Sequence, residues 1–174
     1  MMPQGSEEES TDGDSENRAG PVPDVAARIH ASLENLLQAL GEAAGVDRSS
    51  LFVVDEARRE LHLALTPSEA GRTLVVRMPL GRGVAGLAWE TGASVRVDDA
   101  YACPRLNPEV DVRSGYRTRS LLCVPVRGAG GRVAGVVELL NALDRPGFTP
   151  DDERELRAHE AELSALLEAY GRFG

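Results

Sequence analysis

Apolar residues near the start of the chain recur at every third or fourth position and predict an amphipathic helix. The repeat runs over residues 25–40, and this spacing places the apolar side chains on one face of an α-helix. Asp24 precedes the repeat and is a favourable N-cap, while glycines within residues 41–45 favour an end there. We therefore predict a helix of about five turns.

Short apolar runs separated by turns follow, and they predict antiparallel strands. The runs at 51–54 and 61–65 flank a polar turn. The runs at 120–126 and 133–140 flank the glycine-rich residues 128–131. Each pair therefore predicts a β-hairpin.

The region between the hairpins predicts two more strands, at 73–78 and 94–97, and a short helix at 84–90 that Gly92 ends. Residues 98–118 are polar and have no clear period. An irregular connection of this length indicates either a functional loop or an element that the pattern does not reveal.

A last apolar repeat starts at Thr149 and Pro150 and extends to Tyr170, and it predicts one C-terminal helix. Proline at the first helical position, followed by the acids at 151–153, favours a helix start. Because hairpins dominate the order of elements, we predict an α+β fold. Its central sheet is largely antiparallel, with about six strands and with helices packed against it.

Composition narrows the classes of function. A chain of 174 residues with 42% hydrophobic residues is long enough for one domain with one core. The formal net charge of -9 argues against nucleic acid and against anionic membrane surfaces as partners. The sequence shows neither a signal peptide nor an apolar run of membrane-spanning length, so we expect a cytoplasmic protein.

The acidic charge is concentrated at the N-terminus, where the first 20 residues hold six acids and one arginine. A segment with so few large apolar side chains cannot offset its ordering entropy. We therefore predict a disordered acidic tail at 1–22 and a folded domain at 23–174. All 19 basic residues are arginine, which indicates GC-rich coding and a bacterial source.

Five segments carry a likeness to a known family through their order and spacing over residues 25–170. They are residues 81–92, 98–107, 115–125, 135–141 and 148–153. The last two resemble an Asn-Lys-Phe-Asp-Glu signature. Together, the segments resemble a GAF domain of the cyclic-nucleotide-phosphodiesterase and bacterial-cyclase type.

The resemblance implies a GAF fold, with the N- and C-terminal helices on one face of the sheet and the short helix and long loop covering a pocket on the other. It implies a signalling module and no enzyme, with a cyclic nucleotide as the candidate small-molecule ligand and no cofactor. Because the sequence ends just after the last helix, we expect the signal to pass to a separate signalling protein. The leucine- and alanine-rich terminal helices predict a homodimer.

The resemblance also assigns ligand-binding residues at the pocket. The backbone N–H groups of Val84 and Ala85 begin the short helix, where a phosphate is favourable. Ser114 and Thr118 offer hydroxyl groups, and Asp111 offers a carboxylate, to a base or a sugar. The alternative for these three loop residues is that they form the loop's own hydrogen bonds.

Two strand residues complete the predicted site. Ser50 enters the first strand and is expected to face the same pocket. Glu138 interrupts an apolar strand, where a carboxylate either finds a partner or points to solvent. Trp89, on the short helix, either packs in the core or stacks on a base.

The chain departs from the family pattern in ways that bear on ligand binding. Ala142 replaces the signature lysine, so an ion pair with Asp152 is absent unless Arg145 substitutes for that lysine. The middle loop lacks a frequent phenylalanine, and residues 66–70 lack an aromatic-acid pair. These differences favour an alternative function, a ligand-free interaction and dimerisation module with a degenerate pocket.

The sequence offers little for catalysis or metal binding. Cys123 lies in an apolar strand and is expected to be buried and inert, so Cys103 is the only plausible reactive thiol. The free methionine sulfoxide reductase, a stand-alone relative in the resembled family, acts through several cysteines around the pocket. The three histidines stand at no metal-ligand spacing. We therefore expect neither catalysis nor a metal site.

Overall fold

A six-stranded sheet organises the computed structural model, which describes residues 24–66 and 76–173. The strands are β1 (Val46–Asp55), β2 (Glu60–Leu65), β3 (Arg77–Pro79), β4 (Val95–Val97), β5 (Leu121–Arg127) and β6 (Val133–Ala142). Their order across the sheet is β3-β2-β1-β6-β5-β4, and neighbouring strands are antiparallel. The predicted α+β class and largely antiparallel sheet are therefore confirmed.

Helices cover both faces of this sheet. In the described part of the chain they are α1 (Val25–Ala44), α2 (Gly83–Thr91), α3 (Pro108–Ser114), α4 (Pro150–Ala158) and α5 (Glu160–Phe173), with a 3₁₀ turn at Ala100–Ala102. Helix α1 ends at Gly45, whose φ of 59° is the left-handed conformation that a glycine C-cap adopts. Asp24 precedes α1 without a side-chain capping hydrogen bond. Thr149 and Asp152, in contrast, form a reciprocal capping box at the start of α4.

Each face of the sheet has its own apolar cluster. Helices α1, α4 and α5 cover one face, where Leu33, Leu37 and Leu163 are fully buried. Helix α2 and the segment around α3 cover the other face, where Ala88 and Val136 are fully buried. This arrangement confirms the predicted placement of the terminal helices on one face and of the short helix on the other. None of the helices described here combines the length and apolar character needed to cross a membrane.

One predicted element was wrong in detail, and one region that the sequence left open is now defined. The C-terminal repeat forms two helices instead of one, and the break falls at His159, whose N–H bonds to the Leu156 carbonyl three residues back. Residues 98–118 contain the 3₁₀ turn and α3, so they do hold elements that the pattern does not reveal, one of the two alternatives for this region. Helix α3 is too short for an apolar repeat to show in the sequence.

Parts of the remaining predictions fall outside the described residues. The predicted third strand at 73–78 is described from residue 76 onward, where β3 extends to Pro79. The predicted acidic tail at 1–22 and residues 67–70 lie outside as well.

The register of the central strands places three polar side chains in one row. Ser50 of β1 lies opposite Glu138 of β6, and Glu138 lies opposite Cys123 of β5. Side chains directly opposite one another in antiparallel strands share a face. Because Cys123 belongs to the apolar cluster beneath α2, the row crosses the sheet face that α2 and α3 cover.

Candidate ligand-binding cavity

A cavity lies between the sheet and the layer formed by α2 and α3. It encloses about 80 Å³. Its walls are largely apolar, with Phe52, Met78, Leu106, Val110, Leu121 and Leu140 among them. This composition is typical of a small-molecule site, in which a few polar groups stand in an apolar enclosure.

The start of α2 forms one end of the cavity. Gly81 and Gly83 have φ values of 81° and 74°, which favour glycine. A Cβ atom at Gly86 would lie 2.6 Å from the Gly81 carbonyl carbon, so the turn packs against α2 only with glycine there. Val84 and Ala85 line the cavity, and the residue before α2 provides no side-chain cap. The first N–H groups of any helix have no intrahelical acceptor, and at α2 the N-cap side chain does not supply one.

Helix α3 is held over the cavity by the Asp111 carboxylate. Its Oδ1 accepts a hydrogen bond from Thr118 Oγ1 at 2.7 Å, and its Oδ2 accepts from the Thr118 N–H at 2.7 Å. The Tyr101 hydroxyl donates to the same Oδ2 at 3.0 Å. Asp111 and Thr118 are 6% and 5% exposed, so water competes little for these bonds. We call this set of bonds between Asp111, Thr118 and Tyr101 the α3 latch.

Ser114 and Tyr116 are also bonded to protein groups. The Ser114 hydroxyl donates to the Val110 carbonyl at 2.8 Å and accepts from the Tyr116 N–H at 3.3 Å. The Tyr116 hydroxyl donates to Asp47 Oδ2 at 2.8 Å and accepts from Asn141 Nδ2 at 2.8 Å. Burial, together with the bond to Asp47, raises the pKa of Tyr116. The hydroxyl therefore stays protonated at neutral pH.

Asn141 ties the end of β6 to the segment that enters β5. It is fully buried and has a φ of 57°, a left-handed conformation that asparagine tolerates better than most residues. Its Oδ1 accepts from the Arg119 N–H at 2.6 Å, and its Nδ2 donates to the Arg117 carbonyl at 2.9 Å. The signature asparagine thus fixes the segment between α3 and β5, a role that the sequence did not reveal.

Glu138 lines the cavity from the middle of β6. Cys123 Sγ lies 3.3 Å from Glu138 Oε2, and this thiol is the one hydrogen-bond donor to the carboxyl among the described residues. Burial raises the pKa of the Glu138 carboxyl to about 7, because burial disfavours the charged form. Burial and the neighbouring Glu138 also raise the pKa of the Cys123 thiol. A thiol with a raised pKa is a poor nucleophile.

Six of the seven predicted ligand-binding residues line this cavity. They are Val84, Ala85, Asp111, Ser114, Thr118 and Glu138. Ser50 is not among the lining residues. It is 4% exposed, and its hydroxyl lies 3.2 Å from the Thr66 hydroxyl. Ser50 does lie on the predicted face of the sheet, opposite Glu138, with its hydroxyl next to Thr66, the residue after β2. Ligand binding by the other six stays a prediction.

Among the lining residues that had no role in the sequence analysis are Arg48 and Tyr116. The Arg48 guanidinium lies 4.0 Å from the centroid of the Tyr116 ring, and both residues line the cavity. The family resemblance includes residues 115–125 but gave Tyr116 no role. The contact of Tyr116 with Asp47 joins residues 69 positions apart, and no local pattern indicates such a pairing.

Arg145 forms the ion pair with Asp152 that Ala142, in place of the signature lysine, cannot form. Its two terminal nitrogens donate to the two carboxylate oxygens of Asp152 at 2.9 and 2.8 Å, and Nη2 also donates to the Ala44 carbonyl at 2.7 Å. Burial by itself raises the pKa of Asp152, but hydrogen bonds from Arg145 and Thr149 outweigh it and hold that pKa below its ordinary value. Arg145 therefore takes the place of the signature lysine as the partner of Asp152, a possibility that the sequence left open.

The far end of α2 is joined to the C-terminal helices at the edge of the sheet. Arg127 Nη2 donates to the carbonyl of Gly92, the C-cap residue of α2, at 2.9 Å. The Arg127 N–H lies 3.4 Å from Glu160 Oε1 at the start of α5. Arg157 Nη2 of α4 donates to the Ser94 hydroxyl, just after α2, at 2.9 Å. Two arginines therefore connect the end of α2 with α4 and α5.

The remaining candidates for chemistry lie apart from the cavity walls. Cys103 is half-buried and Cys123 is fully buried. Trp89 packs against the apolar cluster on this face without lining the cavity, as the core-packing alternative has it. Within residues 24–66 and 76–173, no three His, Cys, Asp or Glu side chains are grouped so as to hold a metal ion.

The family model of the GAF domain matches residues 28–161. The chain belongs to the GAF domain family. GAF domains are signalling and ligand-binding modules, and they are typically regulatory and not catalytic.

Two curated relatives of this GAF domain are phosphodiesterases. The dual 3',5'-cyclic-AMP and -GMP phosphodiesterase 11A of Takifugu rubripes is 34% identical over 123 residues, which are 65% of this chain and 14% of that protein. The dual 3',5'-cyclic-AMP and -GMP phosphodiesterase 11 of Drosophila melanogaster is 34% identical over 140 residues, 72% of this chain and 10% of that protein. The chain thus spans only 10–14% of the length of these relatives.

One similar solved structure is an enzyme. The free methionine-R-sulfoxide reductase of Neisseria meningitidis, determined in complex with its substrate, is 28% identical. The TM-score is 0.66, and the match covers 85% of this chain and 86% of that chain. The GAF fold therefore serves both regulatory and catalytic proteins.

Proposed function

We propose that this GAF domain is a signalling module that binds a small molecule in the cavity beneath α2 and α3. The observation that carries the proposal is the Glu138 carboxyl, which stands among apolar walls with the Cys123 thiol as its one hydrogen-bond donor in the described part of the chain. Glu138 is partly buried, and a carboxyl held among apolar walls loses hydration that donors must replace. A ligand that supplies donors would replace that hydration.

The size of the cavity bears on the ligand. Pockets for drug-sized ligands usually enclose about 300–1,000 Å³, several times the 80 Å³ of this cavity. A cyclic nucleotide is the candidate suggested by the resemblance and by the names of the phosphodiesterase relatives. It would require α3 to move outward and the α3 latch to break. Binding would then shift the population from a closed to an open position of α3.

The proposed output runs through the terminal helices. Arg127 and Arg157 connect the end of α2 with α5 and α4, so a movement of α2 at the cavity would reach these helices. In this proposal α1 and α5 pair with those of a second copy, and the signal passes to a separate cytoplasmic protein. Sedimentation velocity at micromolar concentration tests the pairing, and a purely monomeric protein would contradict it.

A second candidate function is an interaction and dimerisation module that binds no ligand. The α3 latch favours it, because Asp111 and Thr118 satisfy each other and offer less to a ligand than their positions suggested. The ion pair of Arg145 with Asp152 counts against this alternative, because the loss of the signature lysine did not remove the pair.

A thermal-shift screen against cyclic mononucleotides, cyclic dinucleotides, other nucleotides and small organic acids and amines separates the two. A ligand present at 100 times its Kd adds about 2.7 kcal/mol, which raises the Tm of a domain of about 150 residues by roughly 5–10 °C. The shift should vanish in Ala85→Leu, which fills the cavity, and persist in the matched control Ala31→Leu on the exposed side of α1. A cooperatively melting protein that responds to none of these compounds would support the ligand-free module.

A further inference from the structure

The polar side chains around the cavity differ in how far protein groups already satisfy them. Asp111 accepts three hydrogen bonds, and Thr118 donates two of them. Ser114 both donates and accepts, and so does the Tyr116 hydroxyl. These residues hold α3 and its flanks in place. They leave little hydrogen-bonding capacity with which to distinguish one small ligand from another.

Glu138 is different, because one of its carboxyl oxygens has no hydrogen-bond partner among the described residues. Oε2 is bonded to the Cys123 thiol at 3.3 Å, and a thiol is a weak donor. The opposite neighbour on β1, Ser50, is bonded to Thr66 instead. Within residues 24–66 and 76–173, Oε1 is therefore an acceptor without a donor, in a cavity whose walls are largely apolar.

The charges around this carboxyl act against a second anion. Asp111, which lines the same cavity, disfavours the charged form of Glu138, whereas Arg48 favours it. Burial has already raised the pKa of Glu138 to about 7, so the site tolerates one negative charge poorly. A ligand cation would offset that charge and donate a strong, charge-assisted hydrogen bond.

Building on the proposed function, we propose that Glu138, with one oxygen held by Cys123, selects cavity ligands that carry a protonated nitrogen on a small apolar body. The ligand class is a small aliphatic amine or amidine, of a size that the closed cavity admits. Its nitrogen donates to Glu138, and its hydrocarbon part packs against Phe52 and Leu121. A carboxylate or phosphate group directed toward Glu138 is excluded.

Three probes of similar shape test this selection: isobutylamine, isobutanol and isobutyrate. Each is titrated into the full, isotope-labelled chain at pH 7.5, and binding is followed through the amide resonances of the lining residues. We expect isobutylamine to bind about tenfold or more tightly than isobutanol, the advantage of a hydrogen bond to a charged group. We expect isobutyrate to bind most weakly.

The variant Glu138→Gln keeps the shape of the side chain and removes its charge. It should weaken isobutylamine binding about tenfold while leaving isobutanol binding within about twofold. Glu56→Gln, at an exposed residue of the β1–β2 turn, removes the same charge elsewhere and should change neither. A thermal melt of each variant verifies that the fold is intact.

The possible failures are distinct. If the amine binds no better than the alcohol, or if Glu138→Gln leaves the amine's affinity unchanged, the selection is refuted and the cavity stands as a binding site. If none of the three probes shifts the resonances of the lining residues, both the selection and small-molecule binding in the closed cavity are refuted.

Discussion

Removing Arg145 should destabilise this GAF domain far more than removing an ordinary surface arginine. Arg145 makes three hydrogen bonds, two to Asp152 and one to the Ala44 carbonyl. The Asp152 side chain is 9% exposed and that of Arg145 is 29% exposed, so Arg145→Ala leaves a largely buried carboxylate without this cation, although Thr149 still donates to it. Exposed ion pairs contribute about 0–1 kcal/mol and broken buried pairs cost about 3–5 kcal/mol. Because Arg145 is partly exposed, we expect a loss of about 2 kcal/mol.

The assay is urea unfolding followed by circular dichroism at pH 7, and the chain offers a matched control. Arg154 also pairs with an aspartate of α4, Asp151, but the two side chains are 74% and 77% exposed. Arg154→Ala should therefore change the free energy of unfolding by less than about 0.5 kcal/mol. Adding Ala142→Lys to Arg145→Ala restores a cation at the signature position and should recover part of the loss. Equal effects of Arg145→Ala and Arg154→Ala would refute the reasoning.

Acid provides a second arm of the same test. Because the pKa of Asp152 is depressed in the folded state, its ionised form contributes stability at neutral pH. That contribution is lost as the pH falls through the ordinary value of 3.8 and below. The difference in stability between the parent chain and Arg145→Ala should therefore shrink below about pH 4.

Three further predictions concern the cavity. Glu138→Gln should stabilise the unliganded domain at pH 8 by up to about 3 kcal/mol, because Glu138 has a pKa raised from 4.5 to about 7. Stability owed to its neutral form is complete below pH 4.5 and lost as the pH rises to about 7, so a variant with an unchanged stability profile over that window would contradict the assignment. Thr118→Val removes one bond of the α3 latch and should cost about 1–2 kcal/mol, with faster amide hydrogen exchange in α3 than in α5; equal protection in both helices would count against a latch. Gly86→Ala places a Cβ atom 2.6 Å from the Gly81 carbonyl carbon and should cost roughly 1–3 kcal/mol, whereas Gly171→Ala, with nothing within 4 Å, should be neutral or stabilising.

The sequence predicted the elements whose patterns repeat and missed those set by single contacts. The apolar repeats correctly predicted α1 and both hairpins, since each spans enough residues for its period to show. Helix α3 was missed because it has only seven residues. The division of the last helix at His159 was missed because the apolar stripe continues across the break.

The candidate site was predictable in its positions more than in its chemistry. The family resemblance placed Asp111 and Thr118 at the cavity, but their bond to each other depends on how α3 folds back onto the segment before β5. The partner of Asp152 depends on the path of the β6–α4 connection, which brings Arg145 to the carboxylate. Ser50 lies on the predicted face of the sheet, but the sequence does not reveal that Thr66 lies beside its hydroxyl.

The connection from Gly92 through Arg127 to Glu160 has a mechanical consequence. Helix α2 meets the cavity at its first turn and Arg127 at its last, so a short rigid rod of nine residues spans the distance between them. If the first turn of α2 tilts, the last turn moves with it. In the proposed signalling function, a change at the cavity would therefore reach Glu160 through α2 and the end of β5, along one edge of the fold.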